Sequence, residues 1–358
     1  MIRSVFQGQN SFQIQRLLKR QLSKWTVNSE TGVVTSSEKG SPRFQTVIGL
    51  EIHAQLDIST KLFSGCPIPT TSSLYQKPNT SVWPFDVGVP GFLPRLSKEA
   101  VHAAVLSAAA TKCKIPKMSR FERKHYYYAD LPLGYQVTQQ RWPLAYDGLL
   151  VCHKQQTKNK KRKKKGGSEE NFSVRIERIQ LEQDTGKTTM MTRNGTTESL
   201  VDFNRAGCAL IEVVFYPDLR SAKDAATAVE TLRNLLRHIG TCNGKMEEGA
   251  LRCDLNVSIS PLIEGEDDAG TSVVDRSGKR VEVKNLNSIR QVQQAAEYEA
   301  VRQAKATVDG SPTSQETRTF DVQGGKTVVI RTKEGAKDYR FMPEPDLPPI
   351  VLDDEVSP

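Results

Sequence analysis

Glu51 and His53 stand two apart in the stretch Val47-Ile48-Gly49-Leu50-Glu51-Ile52-His53-Ala54-Gln55-Leu56. A carboxylate next to an imidazole is a donor pair for a divalent cation. The apolar residues fall at 48, 50, 52, 54 and 56 with Glu51, His53 and Gln55 between them, which is the period of a half-buried strand. Side chains two apart on a strand project from one face about 7 Å from each other, so the two can lean toward one ion or phosphate. A solvated strand face is the alternative for any single pair of this kind, but the pattern returns three more times along the chain.

The second instance runs from Val174 to Asp184. Its alternation shifts phase at Glu177-Arg178, which predicts a β-bulge, and beyond it Glu182 and Asp184 share a face. Lys187 follows in Thr185-Gly186-Lys187 and is a candidate phosphate contact, although Asp-x-Gly-Lys is far less specific than a P-loop. In the third, Glu247 to Ile259, residues Leu251, Cys253, Leu255, Val257 and Ile259 point one way and Arg252, Asp254, Asn256 and Ser258 the other. The fourth is Val281-Glu282-Val283-Lys284-Asn285. Side by side in one antiparallel sheet, these strands would collect Glu51, His53, Glu182, Asp184, Asp254 and Glu282 on a floor with Lys284 and Arg252. Carboxylates gathered this way are costly without cations, and hard oxygen ligands with one histidine suit Mg²⁺ holding a nucleotide.

A second kind of chemistry is available from Phe121 to Asp130, where Arg123, Lys124, His125 and three tyrosines crowd together. Aromatics beside cations can stack on a base and bind phosphate. An edge strand with snorkelling tyrosines would read the same way.

The elements that must position these groups are legible as punctuation. Ser97 predicts a helix from Lys98 to about Thr111. Ser221 with Asp224 opens another that stops at Gly240. Asn287 is read as the cap of a third reaching about Ala306, and Gly134 to Gln139 reads as a short strand. Leu210 to Val214 reads as a buried strand. The 358 residues are 37% hydrophobic and carry a net charge of +9. That basicity is local: eight cations lie between Lys154 and Lys165 and five more among the first 24 residues, and the remainder is mildly acidic. Residues 154–171 read as a basic disordered insert. Residues 1–29, basic and amphipathic with no acid before Glu30, have the composition of a mitochondrial presequence, and 30–43 that of a linker. No apolar run approaches the roughly 20 residues of a membrane helix, and six scattered cysteines without a Cys-x-x-Cys pair argue against a disulfide framework.

From about Phe44 to Leu352 the sequence resembles the B subunits of glutamyl-tRNA(Gln) or aspartyl-tRNA(Asn) amidotransferases, in their mitochondrial form. The resemblance rests on Gly49-Leu50-Glu51-Ile52-His53, Arg123-Lys124-His125-Tyr126-Tyr127-Tyr128, Leu133-Gly134-Tyr135-Gln136, Glu182-Gln183-Asp184-Thr185-Gly186-Lys187 and Lys245 to Asp254. It continues through Val283 to Ser288, Gln315-Glu316-Thr317-Arg318 and Asp338 to Asp346.

This resemblance implies an α+β fold, a cradle-like catalytic domain built on a mainly antiparallel sheet with packed helices, spanning 44–352 and followed by a short end at 353–358. It implies ATP and Mg²⁺ as cofactors, phosphorylation of the glutamyl side chain of Glu-tRNA(Gln), and displacement by ammonia. The ammonia would come from an amidase (A) subunit, and a small third subunit of C or F type would complete the complex. The catalytic candidates are then Glu51, His53, Lys124, Glu182 and Asp184. The metal candidates are Glu51, His53, Glu182, Glu248, Asp254 and Glu282, and the phosphate candidates Lys187, Arg252 and Lys284. Glu182 is also a candidate for the mouth of an ammonia path, and Lys124 for that path or for a phosphate. Departures are visible too: Leu133 and Gln183 stand where many relatives carry Lys and a second Glu. Of four thiols expected between Phe63 and Gly88 in zinc-bearing relatives only Cys66 is present, with Trp83 and Asp86 at the later pair, so no zinc is expected. The family's C-terminal helical and tail domains are not in this sequence. That admits a second expectation, a non-catalytic scaffold that binds the amidase but not tRNA.

Overall fold

The alternation between Phe44 and Gln55 folds as a strand whose apolar members are buried and whose Glu51, His53 and Gln55 are half-buried. The computed structural model describes residues 24–69, 77–154, 171–262, 278–311, 313–332 and 339–352. In chain order the first elements are β1 (Trp25–Val27), β2 (Val33–Ser36), β3 (Arg43–Gln55) and helix α1 (Lys98–Ala110). There follow β4 (Met118–Ser119), β5 (Glu122–His125), β6 (Tyr135–Thr138), β7 (Ala145–His153) and β8 (Asn171–Gln183). Next come β9 (Lys187–Arg193), β10 (Thr196–Asp202), β11 (Ala209–Phe215), α2 (Ala222–His238) and β12 (Leu251–Leu262). The last are β13 (Val281–Leu286), α3 (Ile289–Val308), β14 (Glu316–Asp321), β15 (Lys326–Thr332), β16 (Phe341–Pro343) and β17 (Ile350–Val351). The architecture is α+β and mainly antiparallel, as expected. The chain divides into one unit of residues 1–50, 217–227 and 254–335 and another of 51–216, 228–253 and 336–358.

In the first unit β13 and β14 are parallel, with Val283 opposite Arg318, and β14 returns antiparallel to β15. A parallel pair needs a crossover, and α3 supplies it. The buried stripe of α3 contains Val292, Ala295, Ala296, Ala300 and Ala304 but also Glu299 and Gln303. Glu299 accepts from Arg302 at 2.8 Å and Gln303 at 3.1 Å and lies 3.3 Å from Arg318, so its burial is compensated. β1 and β2 pair with each other, and β2 with β3. Trp25 and Val27 pack with Val34, Phe44, Ile259 and Ala300. Residues 25–27 and 33–36 are therefore strands where composition suggested a presequence end and a linker. The remainder of the expected presequence, 1–23, and the basic insert at 155–170 lie outside the described residues, as do 353–358.

In the second unit the end of β3 pairs with β11, β11 with β8 and β8 with β7, all antiparallel. β16, β5 and β6 form a smaller sheet, and β9 and β10 a hairpin. Helix α1 is capped by Ser97, which accepts from the Ala100 amide at 3.3 Å. Two local expectations shift. The cap of α3 is Ser288 and not Asn287, because the Ser288 hydroxyl takes the Gln291 amide while the Asn287 amide donates to the Gln291 side chain. The third ligand-bearing strand starts at Leu251, and Glu247 and Glu248 fall in the turn before it. All six cysteines are free, five of them buried. No helix among the described residues is long and apolar enough to cross a membrane.

Candidate functional site

Three strands of the second unit write the site as rows. β11 lies between β3 and β8, so each of its residues faces one partner on either side. Val214 is opposite Glu51 and Arg178, Glu212 is opposite His53 and Gln180, and Leu210 is opposite Gln55 and Glu182. Directly opposed residues share a face of a sheet, and so do residues two apart. Arg178, Gln180, Glu182, Glu212, Glu51 and His53 therefore stand on one surface. The bulge expected at Glu177-Arg178 is present: Val214 faces Arg178 but the next residue, Phe215, faces Ile176, which leaves Glu177 unmatched against β11. Without that extra residue the alternation of Val174 and Ile176 would put Arg178, Gln180 and Glu182 into the core.

On this surface His53 Nε2 lies 3.7 Å from Glu51 Oε1 and 3.9 Å from Glu212 Oε2. One ligand atom from each of Glu51, His53 and Glu212 lies within 4.8 Å of the other two. Among the described residues this is the one gathering of three such side chains. Two carboxylates and an imidazole are a donor set that a hard cation such as Mg²⁺ accepts, with further positions filled by water or phosphate. The donor set fits a divalent cation.

Glu212 is missing from the sequence-based candidates because its neighbours read as a buried strand. It is the one charged residue in Ala209-Leu-Ile-Glu-Val-Val-Phe and is 6% exposed. A lone carboxylate in such a run was the available signal, since burying one without partners is costly. Its partners are here. Gln180 Nε2 donates to Glu212 Oε2 at 2.6 Å and contacts Thr138 Oγ1 at 3.0 Å. Burial, reinforced by the charges of Glu182 and Glu51, pushes the Glu212 carboxyl well above the usual carboxylate range, and Lys124 pulls it back only partly. Glu182 goes the other way. Burial opposes its ionisation, but Lys124 and His53, with hydrogen bonds from Glu212 and Thr138, outweigh it and hold the carboxyl below its ordinary value. The two carboxyls are thus pushed apart, Glu212 upward and Glu182 downward, so that a proton between them rests preferentially on Glu212.

Glu182 is held tightly. Gln136 Nε2 donates to Oε1 at 2.5 Å, Thr138 Oγ1 to Oε2 at 2.9 Å, and Tyr126 Oη to Gln136 Oε1 at 2.7 Å. Gln136 and Thr138 come from β6 and Tyr126 from the loop that leads into it from β5. Lys124 Nζ sits 5.1 Å from the Tyr339 ring centre and 6.0 Å from that of Tyr126. Burial disfavours its charge, yet Glu182, Glu212, Tyr339 and Glu51 together raise its pKa above the ordinary lysine value. Glu182 thus feels the charge of Lys124 and is held by its hydrogen-bond donors, beside the Glu51–His53–Glu212 cluster.

The other candidates lie outside this cluster of three. Asp184 pairs with Arg252 at 2.9 Å and Arg205 at 3.3 Å and accepts from the Thr185 amide, which ties the end of β8 to its loop. Arg252 is thereby engaged by a carboxylate. Lys187 opens the exposed β9–β10 hairpin, opposite Asp202. Glu248 is paired with Lys245 at 3.1 Å in a turn. Asp254, Glu282 and Lys284 belong to the first unit, where Lys284 Nζ lies 2.7 Å from Asp254 and 2.9 Å from Glu282. Burial works against the Lys284 charge, and the two carboxylates more than restore it. Asp86 accepts from buried Lys61 at 3.1 Å, Ser64 at 2.9 Å and the Trp83 amide at 2.9 Å.

Comparison with known proteins shows the family. Residues 46–357 match the family model described as GatB/GatE catalytic domain. The B subunit of the aspartyl/glutamyl-tRNA(Asn/Gln) amidotransferase of Ehrlichia chaffeensis is 46% identical over 312 residues, covering 87% of this chain and 58% of the relative. The B subunit of the mitochondrial glutamyl-tRNA(Gln) amidotransferase of Phytophthora infestans is 43% identical, covering 87% of this chain and 61% of the relative. The mitochondrial counterpart of Homo sapiens is 44% identical over 328 residues, covering 90% and 54%. This chain thus spans a little over half the length of the relatives it matches. With its family model matched over nearly the whole described fold, and with strands bearing Glu51, His53 and Glu182 inside that match, the chain belongs to the GatB/GatE catalytic domain family.

Proposed function

We propose that this chain is the ATP- and Mg²⁺-dependent subunit of a glutamine-dependent amidotransferase that converts Glu-tRNA(Gln) to Gln-tRNA(Gln) in mitochondria. The reaction is phosphorylation of the glutamyl side-chain carboxylate followed by displacement with ammonia supplied by a partner amidase subunit, with a small third subunit of C or F type in the complex. The observation that carries this reading is the convergence of Glu51, His53 and Glu212 within 4.8 Å, beside Lys124, whose charge its neighbours favour, and Glu182, whose ionised form Lys124 and His53 favour. The names of the relatives, two of them mitochondrial, support the substrate and the compartment.

Glu51, His53 and Glu212 would hold the cation. A Mg²⁺ bound there supplies charge neutralisation at phosphate oxygens. The chain's own contribution is positioning and fixed charge, the main devices of phosphoryl transfer. Lys124, walled by Tyr126 and Tyr339, offers a fixed positive charge where negative charge develops. Glu182, oriented by Gln136 and Thr138, is an ionised acceptor at Oε1 and Oε2 for an N–H of incoming ammonia and for the proton that the amine must shed.

The test is co-expression of the chain with its amidase partner, followed by supply of Glu-tRNA(Gln), ATP, Mg²⁺ and glutamine. Gln-tRNA formation that disappears in Glu51→Gln and His53→Ala is the expected result. A stable complex that forms no Gln-tRNA overturns the proposal and leaves a scaffold.

A further inference from the structure

We propose that Arg178 is the anion-binding cation of this site, taking phosphate oxygens of the nucleotide on the flank opposite the metal cluster. The inference rests on the metal–nucleotide reading above and names the contact that reading lacks. Of the cations the sequence offered for phosphate, Lys124 is at the site between Tyr126 and Tyr339, whereas Lys187 lies on an exposed hairpin, Arg252 is paired with Asp184, and Lys284 is in the other unit with two carboxylates.

Arg178 is on the face itself, delivered there by the bulge at Glu177. Arg178 and Glu51 flank Val214 from opposite sides, which separates their backbones by two inter-strand spacings, about 10 Å. The side chain between them is the small, apolar Val214, so the floor separating cation and metal ligands is low. A phosphate held by a cation at Glu51, His53 and Glu212 would be within reach of this guanidinium on the same sheet face. The guanidinium is also aimed. Its Nε donates to Gln180 Oε1 at 3.0 Å, and the same Gln180 donates to Glu212 Oε2 at 2.6 Å, so one amide fixes both an anion-binding group and a metal ligand.

Its carboxylate partner is replaceable. Nη1 lies 2.5 Å from Glu177 Oε1, and the Glu177 side chain is 42% exposed. An exposed carboxylate contributes little to holding the fork and can give way to a phosphate, for which the planar guanidinium is the better-matched donor. Glu177 is then a competing counter-ion, which predicts opposite effects for two adjacent residues.

The experiment is calorimetric titration of the full chain with ATP in the presence of Mg²⁺, for the wild type, Arg178→Ala, Arg178→Lys and Glu177→Gln, alongside Mn²⁺ binding without nucleotide. Arg178→Ala should weaken nucleotide binding about 10- to 100-fold and leave Mn²⁺ binding unchanged. Arg178→Lys should recover part of the loss, since a point charge replaces a fork. Glu177→Gln should tighten nucleotide binding by about two- to fivefold. Wild-type affinity in Arg178→Ala, or weakening in Glu177→Gln, overturns the assignment. Should Arg178→Ala not fold, Arg178→Lys and Glu177→Gln decide it. A wild-type chain that takes up neither Mn²⁺ nor nucleotide overturns the metal–nucleotide reading, and the role of Arg178 with it.

Discussion

Glu212→Gln separates the two jobs assigned to Glu212, shared-proton donor and metal ligand. Without metal, burial and the neighbouring carboxylates favour the protonated form of the side chain; a glutamine is neutral in the same way, its NH₂ can donate toward Glu182, and its oxygen can still accept from Gln180. Stability should therefore hold to within about 1 kcal/mol. Glu212→Ala, by contrast, strips buried Gln180 and Glu182 of a partner each, at about 1–3 kcal/mol per group. The pH dependence has a definite sign. A carboxyl raised in the fold, as Glu212 is, contributes stability that is complete below its unfolded value of about 4.3 and is lost as pH rises through its folded value. Glu182, lowered, contributes stability above the unfolded value that is lost as pH falls through its folded one. Lys124, His53 and Glu51 face the same pair and set the balance. The wild type should lose up to about 1.4 kcal/mol per pH unit from Glu212 above its unfolded value, and Glu212→Gln should remove that slope. The assay is urea denaturation at pH 5, 6, 7 and 8 in chelator, repeated with Mg²⁺. Added Mg²⁺ should stabilise the wild type and not Glu212→Gln. An unchanged pH slope in Glu212→Gln would refute the shared proton, and equal stabilisation of both proteins by Mg²⁺ would refute the ligand.

Further expectations test the scaffold around the site. Gln136→Leu removes a donor from buried Glu182 and an acceptor from the Tyr126 hydroxyl; amidation should fall at least about tenfold, while Mn²⁺ binding to the neighbouring cluster persists, and a variant with full activity would show that Glu182 needs no orienting. Arg123 grips Glu344 through Nε and Nη2, both at 2.7 Å, so Arg123→Lys, which cannot form the fork, should cost about 1–2 kcal/mol in urea denaturation. Lys61→Met leaves Asp86 buried without its cation and should cost about 3–5 kcal/mol, whereas Lys61→Met with Asp86→Asn should cost less. Equal losses in the single and double variants would mean that the pair is not coupled.

Much of this protein is written locally. The period of two from Ile48 to Leu56 settles that Glu51 and His53 share a face, because side-chain direction along a strand is a property of the backbone alone. Ser97 and Ser221 mark helix starts for the same reason: a hydroxyl and an amide three residues on are near neighbours in any context. The phase shift at Glu177-Arg178 likewise announces its bulge. A strand's own residues, however, do not name its neighbours. Glu212 reads as one polar residue in an apolar run until β11 is set between β3 and β8, where the register brings it opposite His53, 159 positions earlier in the chain, and Gln180. Sliding that register by one residue would turn every ligand to the other face, so membership in the cluster is decided by pairing over long sequence separations. The same holds for the cations. Lys187, Arg252 and Lys284 carry the charge that phosphate chemistry wants, and only packing decides that two of them are spent on carboxylates. Which face each residue takes is a local matter read from sequence, but which residues meet on that face is settled by tertiary pairing, since electrostatic partnership depends on distance through space and not along the chain.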